Sequence, residues 1–198
     1  VRGRAMTGAT IAALVGSLRL LGGDRRGLAA MDVSLDGFWS SFRVMVWLAP
    51  AVALSILADV RLNAALGTPH ETGTVVVVLA GLVNYVFGWI AFPLFLAALG
   101  RPLGLTRVFV PWMVARNWTA IAASLPYAVV VALWLLHLLP TSALGPATLA
   151  ALGFSLFCGW RVAVLAGERP WGAAVGFTLV DFMLGLLVES AADRLLGL

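Results

Sequence analysis

The sequence has no lysine, one cysteine and two histidines, and only 11% of its 198 residues are charged. Each shortage excludes something. A single cysteine, Cys158, allows neither an intrachain disulfide framework nor a cysteine metal site, and in its apolar run it reads as a small core residue. The two histidines, His70 and His137, leave little for acid–base or metal chemistry. His70-Glu71-Thr72-Gly73 lacks the second histidine of HExxH, and there is neither a glycine-rich phosphate loop nor a GxSxG elbow. The expectation is therefore no catalytic residue, no cofactor, no metal and no enzyme. A site built from His70, Glu71, His137 and Glu189 is the weak alternative. All 13 basic residues are arginine, a bias that a GC-rich genome explains as well as any function.

Apolar residues are in excess. They make up 62% of the chain, and the mean hydropathy is +1.01. Soluble domains hold about 45–50% apolar and about 25% charged residues. A soluble fold of this length cannot hide so much apolar surface, so the composition predicts an all-α, polytopic membrane bundle. The net charge of +4 does not point to nucleic acid, because the arginines lie at the ends of apolar runs, where they anchor helices. The bilayer itself is the expected partner.

Along the chain, Ile11, Leu14, Val15, Leu18 and Leu21 fall on one helical face between Thr10 and Leu21, with Ser17 and Arg19 off it. The run is short and interrupted by charge, so it should lie on the membrane rather than cross it. A signal peptide is the competing reading, since Arg2 and Arg4 precede an apolar run. The sequence starts at Val1 and Met6 follows closely, so Met6 is an alternative start. Residues 1–40 read as an interfacial segment and 41–198 as a five-span domain. Ser34 or Asp36 can cap the helix leading into the first span.

The spans are expected at Phe42–Ala58, Val75–Leu99, a central stretch ending near Leu139, Ala147–Ala166 and Trp171–Val188. Thr106 to Leu139 is too long for one span of about 20 residues. With Pro111 and Pro126 inside it, it reads as a short helix to Arg116 followed by a full span. Pro50 should kink the first span, and Pro140–Pro146 reads as a loop. Small residues recur at helical spacing: Gly81, Asn84 and Gly88; Arg116, Ala120, Ser124 and Ala128; Ala151, Ser155 and Gly159; Gly172 with Gly176; and Ala174, Thr178, Asp181 and Gly185. Such stripes let helices approach closely in lipid.

With five spans and the N-terminus inside, nine arginines fall on the inner side (Arg2, Arg4, Arg19, Arg25, Arg26, Arg43, Arg101, Arg107, Arg169) and two on the outer (Arg61, Arg194). This asymmetry predicts a cytoplasmic N-terminus and a C-terminus on the outer side, which is the periplasm if the membrane is the bacterial inner membrane that the resemblance below implies.

Charge inside the apolar runs is expensive and must find a partner or water. Arg116 lies ten residues past Thr106 and Asp181 eleven past Pro170, so both should sit at similar depth below the inner surface. Arg161 is the rival partner for Asp181, and Asn117, Asn84 and Tyr85 can join from neighbouring spans. The expected intramembrane polar centre is Arg116, Asn117, Asp181, Arg161 and Asn84. It reads either as a buried pair that fixes helix register or as a site for an ion, a proton or a headgroup.

An inner N-terminal region, five close-spaced spans and a short outer tail, with the phrases GFWSSF, FPLFLAALGR and VARNW, resemble bacterial relatives of the Yip family of Ypt/Rab-interacting membrane proteins. The resemblance implies a non-enzymatic protein acting through protein partners. Bacteria lack the Rab machinery, so the eukaryotic role and its residues do not transfer. The first expectation is thus a scaffold or accessory factor for a lipid, a membrane-protein partner or a second copy. The alternative is a small-solute or ion transporter, or a channel subunit, using the Arg116/Asp181 centre.

Overall fold

In the computed structural model, residues 2–67 and 73–197 are described, with side chains from residue 8 onward. The described chain is helical throughout: α1 (Arg2–Leu21), a 3-10 segment (Arg25–Ala30), α2 (Leu35–Ser41), α3 (Arg43–Ala65), α4 (Thr74–Leu99), α5 (Phe109–Leu135), α6 (Thr141–Leu165) and α7 (Trp171–Leu196). Five helical stretches, Leu35–Ala65 and α4 to α7, are long and apolar enough to cross a membrane. A helix satisfies its own backbone, which is why apolar runs of this length adopt it in lipid. The protein is an all-α membrane bundle.

The spans differ from the expected boundaries, and the prolines explain much of the difference. The central stretch is one helix, Phe109–Leu135, not a short helix and a span. Pro111 falls in its first turn, where a helix N–H has no partner in any case. Pro126 is accommodated within it, as Pro50 is in α3 and Pro93 in α4. The expected loop Pro140–Pro146 is the first turn and a half of α6, with Pro140 as its N-cap residue and Pro146 inside it. Helix α3 continues to Ala65 rather than Ala58, and past Val188 the expected helical tail with Glu189, Asp193 and Arg194 completes α7 to Leu196.

The spans form a ring. Helix α3 packs on α4, α4 on α7, α7 on α6, α6 on α5, and α5 back on α3. Consecutive α4 and α5 barely touch, so the chain steps across the ring between them. The closest pairings are α5 with α6 and α4 with α7. Two closely packed pairs therefore face each other, α5/α6 and α4/α7, with α3 between α4 and α5.

One end of the ring is covered by the N-terminal segment, which packs on α5 and α6. Call it the inner end. Helix α1 and the 3-10 segment cross at Gly16 and Gly27, so closely that a Cβ on either would collide with the other's carbonyl oxygen. The buried face of α1 is Ala13, Ser17 and Leu20, whereas Ile11, Val15 and Leu18 of the expected apolar stripe remain exposed. Ser17, placed off the packing face by its polarity, is buried because its hydroxyl donates to Leu14 O at 2.8 Å. Arg25 pairs with Glu168 of the α6–α7 turn. The N-terminal segment and the α6–α7 turn thus share one face of the molecule.

Ser34 is the cap of α2; its Oγ accepts from Gly37 N at 3.1 Å. Asp32 Oδ1 in turn accepts from Ser34 N and Oγ, at 3.0 and 2.6 Å, and these two bonds hold its carboxyl below its ordinary pKa. The main core fills the inner half, from Leu20 and Phe38 through Leu96 and Trp112 to Val162 and Ala174. A smaller cluster at the outer end joins Ala58, Val131, Trp134 and Leu144.

Candidate functional site: a polar cavity inside the ring

The ring encloses a half-open cavity of about 430 Å³, lined by residues of all five spans. A stripe of α5 forms one wall: Trp112, Arg116, Thr119, Ala120, Ala123, Ser124 and Tyr127. Its spacing of three and four residues keeps one helical face on the cavity. Ser55 of α3, Asn84 of α4, Ser155 and Cys158 of α6 and Thr178 and Asp181 of α7 complete the polar lining.

The inner part of the cavity is aromatic. Trp112 meets Phe177 edge-on at 5.2 Å and Phe92 at 5.9 Å between ring centroids. Trp112 is buried, and Gly167 of the α6–α7 turn lies so close that a Cβ there would come within 2.7 Å of the indole.

One turn farther along α5, Arg116 pairs with Asp181 in a two-point contact. Its Nε donates to Oδ2 at 2.9 Å and its Nη2 to Oδ1 at 2.7 Å. This fork-to-fork geometry is the strong form of a guanidinium–carboxylate contact. The guanidinium carbon also lies 5.3 Å from the centre of the Phe92 ring. Arg116 therefore joins α5 to both members of the α4/α7 pair. The two side chains keep 20% and 28% of their surface accessible, so the pair faces the cavity rather than a dry core. Asn84 lines the same cavity.

Arg161 and Asn117 do not belong to this centre. Arg161 turns toward the inner end, where its Nε donates to Leu21 O at 3.3 Å. Its guanidinium fits against Gly23, whose φ of +94 leaves the space, and lies over the rings of Phe157 and Trp160. The fourth span thus sends its arginine to the C-terminus of α1, where the carbonyls left free by the helix favour a cation. Asn117 follows Arg116 by one residue and so points away from it; fully buried, it donates to Ser41 Oγ at 2.8 Å and joins α5 to α2. Tyr85 lines the cavity, but its hydroxyl donates to Met45 O at 2.6 Å and ties α4 to α3.

The small-residue stripes divide in the same way. Arg116, Ala120 and Ser124 line the cavity instead of receiving a neighbouring backbone. Gly159 does meet a neighbour, Thr178 of α7, and Gly81 meets Ile56. Gly172, Gly176 and Gly185 have no described residue close to where a Cβ would stand. His70 and Glu71 lie outside the described residues, and among those described no group of acids, histidines and cysteine could hold a metal ion.

Thr119 was not anticipated. Its side chain lines the cavity at 2% exposure, and its Oγ1 has no hydrogen-bond partner among the described residues. A helical threonine ordinarily satisfies its hydroxyl on the preceding turn, so spacing alone gives no sign that this one is unpaired. A second cavity, of about 360 Å³, lies between α3 and α4 and is lined almost wholly by aliphatic side chains.

No family model matches the chain, and no curated protein or solved structure is found to be similar to it.

Proposed function

We propose that this protein binds a small amphiphilic molecule inside the membrane, as a carrier or as a subunit of a transporter. The observation that supports this reading is the cavity ringed by five spans with an accessible guanidinium–carboxylate pair on its wall. A buried ion pair can often be replaced by apolar side chains without loss of stability, so helix packing alone does not call for one here. Ligand sites are typically clefts of about 300–1,000 Å³, mostly apolar, with a few convergent polar groups. The proposed setting is a bacterial inner membrane, with the α1 end toward the cytoplasm.

The reading is tested by thermal unfolding of the purified protein in detergent with a panel of small amphiphiles bearing anionic, cationic, zwitterionic and uncharged heads. At least one class should raise the midpoint, and filling the cavity by Ala123→Phe should abolish the rise. A panel without effect on the wild-type protein would sink the binding reading.

A scaffold or accessory role is the second reading, and one observation favours it. Gly172 and Gly176 on α7 present a small-residue face with no helix against it. Such a face accepts a partner helix or a second copy, in keeping with a Yip-like layout. Gly172→Leu would then disrupt a complex captured by cross-linking in membranes, without affecting the amphiphile panel.

A further inference from the structure

Resting on the binding reading above, we infer that the ligand is a zwitterion with an apolar, aromatic-compatible body, of which an α-amino acid with an aromatic side chain is a minimal example. Among the described residues that line the cavity, Arg116 and Asp181 are the charged ones, and their charges cancel. A ligand with one net charge would leave that charge without a counter-charge beside apolar and aromatic walls, which is costly even where water reaches part of the site. A net-neutral ligand avoids that cost.

Hydrogen bonding separates zwitterions from uncharged ligands. A guanidinium has five N–H donors, and Asp181 takes two of them, which leaves three. Each Asp181 oxygen receives one bond from Arg116 and keeps acceptor capacity beyond it. The protein pair is thus a fixed dipole with spare donors at one end and spare acceptors at the other. A ligand carboxylate beside Arg116 and a ligand ammonium beside Asp181 form an antiparallel dipole that uses both. An uncharged alcohol can donate to Asp181 and accept from Arg116 through its one oxygen, but it brings no opposite charge to either end.

The apolar lining fixes the body of the ligand. The aromatic rings of Trp112, Phe92 and Phe177 floor the inner part and suit a ring on the ligand body.

The test uses the full chain in lipid nanodiscs and four size-matched probes: phenylalanine, 3-phenylpropionate, 2-phenylethylamine and 3-phenylpropanol. Calorimetry should show phenylalanine binding at least tenfold more tightly than any of the other three. Asp181→Asn, which leaves the cavity with the charge of Arg116, should transfer the preference to 3-phenylpropionate. Arg116→Gln should transfer it to 2-phenylethylamine, so the rule holds if either charge variant folds. Tighter binding of a singly charged or uncharged probe to the wild-type protein would overturn the zwitterion assignment while the cavity remained a binding site. Binding of none of the four would also overturn it, and the broader amphiphile panel would then decide separately whether the binding reading falls.

Discussion

The inner and outer halves of the bundle are built differently. The inner half holds a continuous core in which α1, α2 and all five spans meet, from Leu20 and Phe38 to Trp112, Val162 and Ala174. The outer half has one small cluster, Ala58, Val131, Trp134 and Leu144, drawn from α3, α5 and α6 alone. The α4/α7 pair thus shares the inner core but not the outer one. Arg161 to Leu21 and Asn117 to Ser41 fasten the inner half, Arg116–Asp181 marks its border with the cavity, and in the outer half Trp134 Nε1 donates to Thr141 Oγ1 between α5 and α6. The lesson is that the inner half works as a base. The cavity rises from it between two subsets of helices that the outer half holds together less firmly.

The sharpest way to break this comparison is to remove one large ring from each half. Trp112→Ala should lower stability by about 3–5 kcal/mol, the usual range for a fully packed aromatic. Trp134→Ala, in a cluster of few members, should cost clearly less. Unfolding midpoints in one detergent check the pair, and equal losses would mean that the halves are packed alike.

The next largest effect concerns the border between them. Stranding a buried charge costs about 3–5 kcal/mol when it is fully desolvated. The cavity hydrates part of this pair, so Arg116→Ala and Asp181→Ala should each fall near the low end of that range. The double variant should cost less than the sum, because neither charge is then left alone. Additive losses would show that the contact couples nothing across the ring.

Smaller effects sharpen the account of the base. Arg25→Ala should cost at most about 1 kcal/mol, since its pair with Glu168 is exposed, and the loss should shrink as salt is added. Asp32 gives the slightest effect, and its sign is fixed. Its folded pKa is depressed, so its contribution is complete above the ordinary aspartate value of about 3.9 and is lost as pH falls through the lower folded value. Asp32→Asn should flatten that acid limb in a pH titration of the unfolding midpoint.

Much of this architecture is legible in the sequence, for identifiable reasons. Apolar runs of span length can hardly be anything but helices in lipid, so the number of spans follows from hydropathy. Helix rise converts chain position into depth, and that places Arg116 and Asp181 at one level. Direction around a helix axis is harder to read. Asn117 is one residue from Arg116 and looks like part of the same centre, yet the helical turn sends it to Ser41 instead. Arg161 finds a backbone carbonyl, and a carbonyl leaves no mark in residue type. The cavity itself is illegible for a related reason. Alanine and serine at every fourth position look the same whether they admit a neighbouring helix, as Gly159 does, or border open space, as Ala120 and Ser124 do. Proline was the other obstacle, because its helix-breaking tendency in water overstates its effect at a first turn such as Pro111 or within a packed span such as α6.

The central claim is that the ring holds an accessible polar cavity, and Ser124 and Leu125 test it most directly. They are consecutive residues of α5; Ser124 lines the cavity, whereas Leu125 is 60% exposed on the outside of the bundle, where lipid would lie. In a Cys158→Ala background, Ser124→Cys and Leu125→Cys can each be treated with a small, water-soluble methanethiosulfonate reagent in intact membranes. The account predicts that Ser124→Cys reacts much faster than Leu125→Cys, and that Ala123→Phe slows it. Equal rates, or faster reaction at Leu125→Cys, would contradict a cavity inside the ring.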